Sequence, residues 1–93
     1  MNIRHEPQSR RFVADIDGAE ATLDYTVRDD GVLDFRRTFT PPSLRGRGIA
    51  KTIVVFGLDY ARDNAIKIVP TCPYVAKIIR ENPEYKDLVA EVA

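Results

Sequence analysis

The run Arg45-Gly46-Arg47-Gly48-Ile49-Ala50 puts two arginines and two glycines directly ahead of an apolar pattern of helical period. A turn that enters a helix exposes the helix's first unpaired N–H groups beside the positive end of its dipole, which makes an anion site. Glycines at 46 and 48 let the backbone approach a phosphate without a Cβ in the way, while Arg45, Arg47 and Lys51 add charge from the side. Together these groups suit a pyrophosphate better than a lone carboxylate. The competing reading is a flexible connection with solvated basic side chains, and composition of the turn alone does not separate the two.

One phosphate motif fails here. A nucleotide-binding P-loop requires G-x-x-x-x-G-K-[ST]; Ala50-Lys51-Thr52 supplies the end, but Arg45 and Ala50 occupy both glycine positions. A chain of 93 residues also leaves little room for the parallel sheet and Mg²⁺-holding acid of phosphoryl transfer.

Cys72 is the second chemical candidate. It precedes Pro73, a residue suited to the first position of a helix, so Cys72 is placed as N-cap, where the helix's positive end favours a thiolate. Its alternative fate is that of a small buried hydrophobe. Tyr74 carries a phenol that can donate a proton, although two residues along a helix it need not face the way Cys72 does. The single histidine, His5, has no sequence partner and reads as a surface residue. Asn82 and Tyr85 read as capping and packing residues, and Arg10-Arg11 and Arg36-Arg37 as solvated strand surface.

The elements that must position these groups fall into two halves. Phe12, Ala14 and Ile16 alternate with Val13 and Asp15, and Asp17-Gly18 supplies a tight hairpin turn. Ala21, Leu23, Tyr25 and Val27 form the apolar side of a second strand. After Asp29-Asp30-Gly31, a third strand sets Leu33, Phe35, Arg37 and Phe39 on one side and Asp34, Arg36, Thr38 and Thr40 on the other. Residues Asn2 to Glu6 add a short edge strand. Pro41-Pro42 ends the sheet, because neither residue can donate to a ladder.

The period then becomes helical. From about Arg47 to Asn64, Ile49, Ile53, Phe56 and Tyr60 recur at three- and four-residue steps, with Val54, Leu58 and Ala61 beside them. Ile66 to Val69 forms a short strand, Tyr74 to Glu81 a helix, and Pro83 opens a last helix to about Ala90. The expected architecture is a mixed α/β (α+β) fold: an antiparallel meander, a Gly-rich turn into a long helix, a parallel strand and short C-terminal helices. The helix that crosses from the third long strand to Ile66-Val69 makes a βαβ unit and demands that parallel pair.

Composition limits the functions open to this fold. At 93 residues and 10.5 kDa the chain is expected to be one domain spanning residues 1–93. Fourteen Lys and Arg balance fourteen Asp and Glu, so there is no basic surplus to drive nucleic-acid binding. One cysteine forms no internal disulfide and no cysteine-rich metal site, which suits a reducing cytoplasmic setting. Met1 to Arg11 lacks an apolar signal-peptide core, and no apolar run approaches membrane-spanning length, so neither export nor a membrane partner is expected.

A family resemblance narrows the anion site. The pyrophosphate loop of the GNAT superfamily of acyl-CoA N-acyltransferases reads Gln or Arg, two residues, Gly, one residue, then Gly or Ala, and Arg45, Gly48 and Ala50 satisfy it. Pro41 to Ala50, Ile68 to Val75 and Asn82-Pro83-Glu84-Tyr85 further resemble the small YjdJ-type branch, so the likeness covers nearly the whole chain. The resemblance implies a GNAT-like fold that binds acetyl-CoA and transfers acetyl to a primary amine of an unidentified acceptor. It implies a cofactor-binding set of Phe39, Thr40, Arg45, Gly46, Arg47, Gly48, Ile49 and Ala50, and puts Cys72 and Tyr74 near the thioester as catalytic groups. The helices that usually follow the first strand of larger members and help bind the acceptor are missing. The alternative is a noncatalytic acyl-CoA-binding or regulatory module, and a third reading is a small domain whose turn binds phosphorylated or acidic partners.

Overall fold

The computed structural model describes residues 2–90. Five strands run in the order β1 (Asn2–Glu6), β2 (Arg11–Ile16), β3 (Ala19–Val27), β4 (Leu33–Phe39) and β5 (Ile68–Val69) in a single sheet of the same order. The first four pair antiparallel and β5 joins β4 in parallel, as the crossover requires. Helix α1 (Ile49–Asp63) makes that crossover, and α2 (Pro73–Glu81) follows β5. Short 3₁₀ turns at Pro42–Leu44 and Pro83–Leu88 complete the chain. The expected last helix is thus a 3₁₀ segment, and β5 holds two residues rather than four.

The hairpin β2–β3 turns on Asp17 and Gly18, both at positive φ (52° and 82°), the backbone of the tight turn that a right-twisted hairpin prefers. Phe12 and Ala14 from β2, Ala21, Leu23 and Tyr25 from β3, and Leu33 and Phe35 from β4 bury one face of the sheet. Both α1 and α2 pack into that same core, through Ile49, Ile53, Val54, Leu58 and Ala61 of α1 and Val75, Ile78 and Ile79 of α2. Gly57 sits where α1 comes nearest the sheet: a Cβ there would lie 2.9 Å from Leu23 Cδ2 and 3.4 Å from Phe12 and Phe35. Close approach through Gly57 shifts the buried stripe of α1 toward residues 53, 54, 57, 58 and 61. Phe56 and Tyr60, expected on the buried face, therefore flank it, Phe56 exposed and Tyr60 half-buried.

The opposite sheet face is charged. Arg4 on β1 reaches across β2 to Glu20 on β3 at 2.8 Å and pairs with Glu6 at 2.8 Å, while Arg11 pairs with Glu6 at 2.7 Å. Val13, on this face opposite Arg4 and Thr22 in the ladder, is fully buried although it carries the polar-side phase of β2.

One irregularity reorganises β4. Its register with β3 is Tyr25↔Phe35 on one side and Asp24↔Arg37 on the other, so Arg36 is an extra residue without a partner of its own. A one-residue bulge reverses every side chain beyond it. Thr38 turns to the side of Leu23, and Arg37 and Phe39 turn to the charged face. The strict alternation read from the sequence, with Arg37 and Phe39 beside Leu33 and Phe35, holds only up to Phe35.

Candidate functional site

The turn at residues 45–48 is held at both ends and open between them. Leu44 and Ile49 are buried in the core, whereas Arg45, Gly46, Arg47 and Gly48 are exposed. Arg45 Nε donates to the carbonyl of Thr40 at 3.1 Å, which ties the turn to the end of β4. Gly46 and Gly48 both have positive φ, 80° and 73°, which explains the alternating glycines. Gly48 is the N-cap of α1 and makes no side-chain cap; the first helical bond runs from Thr52 N–H to Gly48 C=O at 3.1 Å. The N–H groups of Ile49, Ala50 and Lys51 thus have no acceptor within the helix.

A phosphate fits this geometry. A Cβ built on Gly46 or Gly48 would meet nothing within 4 Å, so the space over the turn is open to a ligand. The first turn of α1 contains no acidic residue to compete for its amides. Arg45, Arg47 and Lys51 are all exposed around it. The turn also lies at the carboxyl end of β4, where ligands of α/β sheets bind.

Beside the turn, β4 offers an unpaired edge. The parallel ladder with β5 covers Leu33↔Ile68 and Asp34↔Val69, and a last bond runs from Cys72 N–H to the Phe35 carbonyl at 2.8 Å. Thr71 Oγ1 donates to the Asp34 carboxylate, which also accepts from Arg36 at 3.1 Å, fastening the chain there. The chain then enters α2, so beyond the unpaired Arg36 the residues Arg37 to Phe39 of β4 are paired with β3 alone. The chain thus parts from β4 at Cys72, a fork, or wedge, bounded by β4 on one side and the start of α2 on the other.

Cys72 is the N-cap of α2, as expected, with Pro73 at the first helical position. It is 4% exposed, and its Sγ lies 3.7 Å from Thr38 Oγ1. The bulge brings Thr38 to that position; in unbroken alternation it would have faced away. Tyr74 is half-buried against the core, and burial, then the charge of Glu81, raises its phenol above the ordinary tyrosine range. As a phenol it is protonated at neutral pH and can act as a donor. Among the described residues no carboxylate or imidazole hydrogen-bonds Cys72 or Tyr74.

Of the residues singled out from the sequence, Arg45 to Gly48 form the turn, Ile49 and Ala50 open α1, and Cys72 sits at the wedge. The Thr40 carbonyl ties the turn to the end of β4, and Phe39 is exposed on the charged sheet face with the Arg37 guanidinium 5.4 Å from its ring centre. His5 is half-buried rather than fully on the surface. Its Nε2 lies 2.6 Å from the Tyr25 hydroxyl, and its ring stacks on Phe12 at 4.4 Å and meets Tyr60 edge-on at 4.5 Å. The alternation Ile3, Arg4, His5, Glu6 carried that placement, since His5 shares the inward phase of Ile3. Asn82 and Tyr85 do cap and pack: Asn82 Nδ2 donates to Ile78 C=O and the Tyr85 hydroxyl to Asp59, at 2.8 and 2.9 Å. No group of three or more His, Cys, Asp or Glu residues is placed to hold a metal among the described residues, nor is any described helix long and apolar enough to cross a membrane.

Comparison with known proteins identifies the family to which this fold belongs. Residues 11–88 match the family described as GCN5-related N-acetyl-transferase. Protein NATD1 of Mus musculus is 33% identical over 85 residues, covering 89% of this chain and 77% of its own length. The Homo sapiens protein of that name is 32% identical over 85 residues, covering 89% and 75%. The solution NMR structure of a GCN5-like protein from Staphylococcus aureus superimposes with a TM-score of 0.75 over 99% of this chain and 90% of that one, at 21% identity, a likeness of fold.

Proposed function

The chain belongs to the GCN5-related N-acetyl-transferase family, and on that premise we propose that it binds acetyl-CoA and transfers the acetyl group to a primary amine of an acceptor. The observation that carries this is the uncapped start of α1: open glycines, free amides and three cations at the carboxyl end of β4. The amides of residues 48–51 and the side chains of Arg45, Arg47 and Lys51 would hold the pyrophosphate. The free edge of Arg36 to Phe39 would pair with the amide groups of the pantetheine arm as a further strand does. Phe39 and Thr40 border that path. Bound there, acetyl-CoA would supply an activated thioester at the wedge.

The groups at the narrow end then have distinct tasks. Tyr74, a phenol that burial makes a still weaker acid, would hold a proton at its phenolic oxygen for the leaving thiolate. Cys72 and Thr38 line the end of the wedge, and the start of α2 adds positive potential beside the acyl group. Cys72 would be the candidate nucleophile to accept an acyl group before the amine does.

A panel of amines and peptides with acetyl-CoA, read by release of free thiol, tests this reading. Amine-dependent release by the protein supports transfer. Full transfer by a Cys72→Ala variant would eliminate the covalent route and leave direct attack by the amine. One observation favours a second reading: neither Cys72 nor Tyr74 has a hydrogen-bonded carboxylate or imidazole among the described residues. In that reading the protein is a noncatalytic acyl-CoA-binding module. Tight cofactor binding with no thiol release across the panel would establish it.

A further inference from the structure

The outer flank of α1 carries a groove that the acetyl-transfer reading does not use. It has a volume of about 350 Å³ and is lined by Phe56, Asp59, Tyr60, Asp63 and Asn64. These residues form two rows at helical i, i+4 spacing, one aromatic (Phe56 and Tyr60) and one acidic (Asp59 and Asp63). Phe56 is 38% exposed, one of few large apolar side chains on the surface. Its ring meets Phe12 edge-on at 5.9 Å, and Tyr60 meets Phe12 and His5 likewise, so the aromatic wall is backed by core.

The acidic wall is electrostatically unfavourable as it stands. Asp59 and Asp63 are like charges four residues apart, a destabilising pair on a helix. Asp63 lies in the last turn of α1, where the helix's own partial charge is negative. Among the described residues neither carboxylate has an ion pair. Asp59 accepts a hydrogen bond from Tyr85, and the cation of that last turn, Arg62, is committed to Asp87 on the Pro83–Leu88 segment. Arg62 still acts on Asp59 through its charge, but it forms its ion pair with Asp87.

A guanidinium answers both walls at once. Its face stacks on an aromatic ring while its edge donates to carboxylates. We propose that this groove docks an arginine-bearing segment of a partner protein, with the guanidinium between the Phe56–Tyr60 wall and the Asp59–Asp63 carboxylates. The assignment does not depend on acetyl-CoA binding, because the groove lies along the outer flank of α1 and shares no residue with the turn at its start.

The test uses a fluorescein-labelled peptide of alternating Arg and Ser, with an alternating Glu and Ser peptide as its control, read by anisotropy at low salt. The Arg peptide is expected to bind and the Glu peptide not. An Asp59→Asn/Asp63→Asn variant should weaken binding about tenfold, and Phe56→Ala about threefold, magnitudes expected for two partly screened charges and one exposed cation–π contact. Amide shifts on titration should concentrate in residues 56–64. The Asn variant keeps the acceptor for Tyr85 and removes the repulsion, so its Tm should equal or exceed that of the wild type. Unchanged affinity in the double variant, equal binding of the Glu peptide, or a fall in Tm on neutralising the carboxylates would each overturn the proposal. A dimer that dissociates in the double variant would assign the groove to a second copy of this chain and overturn it too.

Discussion

Gly57→Ala tests how closely α1 lies on the sheet, the packing on which the position of the 45–48 turn depends. In an exposed helix this change would stabilise by about 1 kcal/mol, because alanine is the better helix former. Here the new methyl would stand 2.9 Å from Leu23 Cδ2 and 3.4 Å from Phe12 Cε2 and Phe35 Cζ. All three side chains are 0% exposed, so none can swing into solvent to make room. Inserting a methyl into such a core costs about 1–3 kcal/mol. With about 2 kcal/mol for overpacking against about 1 for propensity, the net effect is a destabilisation of about 1 kcal/mol. For a domain of this size that corresponds to a Tm lower by about 4–8 °C. Differential scanning calorimetry reads it directly. A Tm at or above that of the wild type would show that α1 does not sit as close to β2, β3 and β4 as described.

Two further perturbations concern pH and one the wedge. Burial lowers the pKa of His5 below its ordinary 6.5, so the folded state binds fewer protons than the unfolded chain. Stability is then full above that value and falls as pH drops through it toward the folded pKa; His5→Gln should remove this part of the pH dependence of Tm between 5 and 7, roughly. Arg4 and Arg11 hold the Glu6 carboxyl below its ordinary 4.5, which adds stability above that value and loses it as pH falls through the folded pKa; Arg4→Gln should flatten the acid limb of a Tm–pH profile. If Tyr74 supplies the proton to the leaving thiolate, Tyr74→Phe should lower kcat about 10²-fold or more and leave the dissociation constant for acetyl-CoA unchanged, measured by thiol release and calorimetry. Equal kcat in the two proteins would remove Tyr74 from the chemistry.

The parts legible in the sequence were those encoded locally. The β2–β3 hairpin follows from Asp17-Gly18, the start of α1 from Gly46 and Gly48, and the N-cap position of Cys72 from Pro73. What escaped depends on which residues oppose each other across elements. The bulge at Arg36 leaves no mark in the evenly alternating run from Leu33 to Phe39, because it is defined only by counting β4 against β3. Neither the pairing of Thr38 with Cys72 nor the place of Phe39 on the charged face is therefore legible in the run itself. The alternation with Ile3 marks His5 as inward-facing, but its partners Tyr25 and Tyr60 lie far along the chain, on β3 and α1, and no local spacing names them. Phe56 and Tyr60 left the buried stripe because Gly57, which the helical period counts as a gap, is the point of closest approach.

The central claim, that the turn after β4 is an acetyl-CoA phosphate site, is tested most directly by isothermal titration of acetyl-CoA into the wild-type protein and a Gly48→Val variant. Gly48 has φ 73° and open space above it, so valine would strain the backbone and put methyl groups where the phosphate is to lie. Saturable binding to the wild type, weakened about tenfold or more in a folded Gly48→Val protein, is the result expected. Absence of binding at high micromolar acetyl-CoA, or equal affinity in the two proteins, would contradict the account.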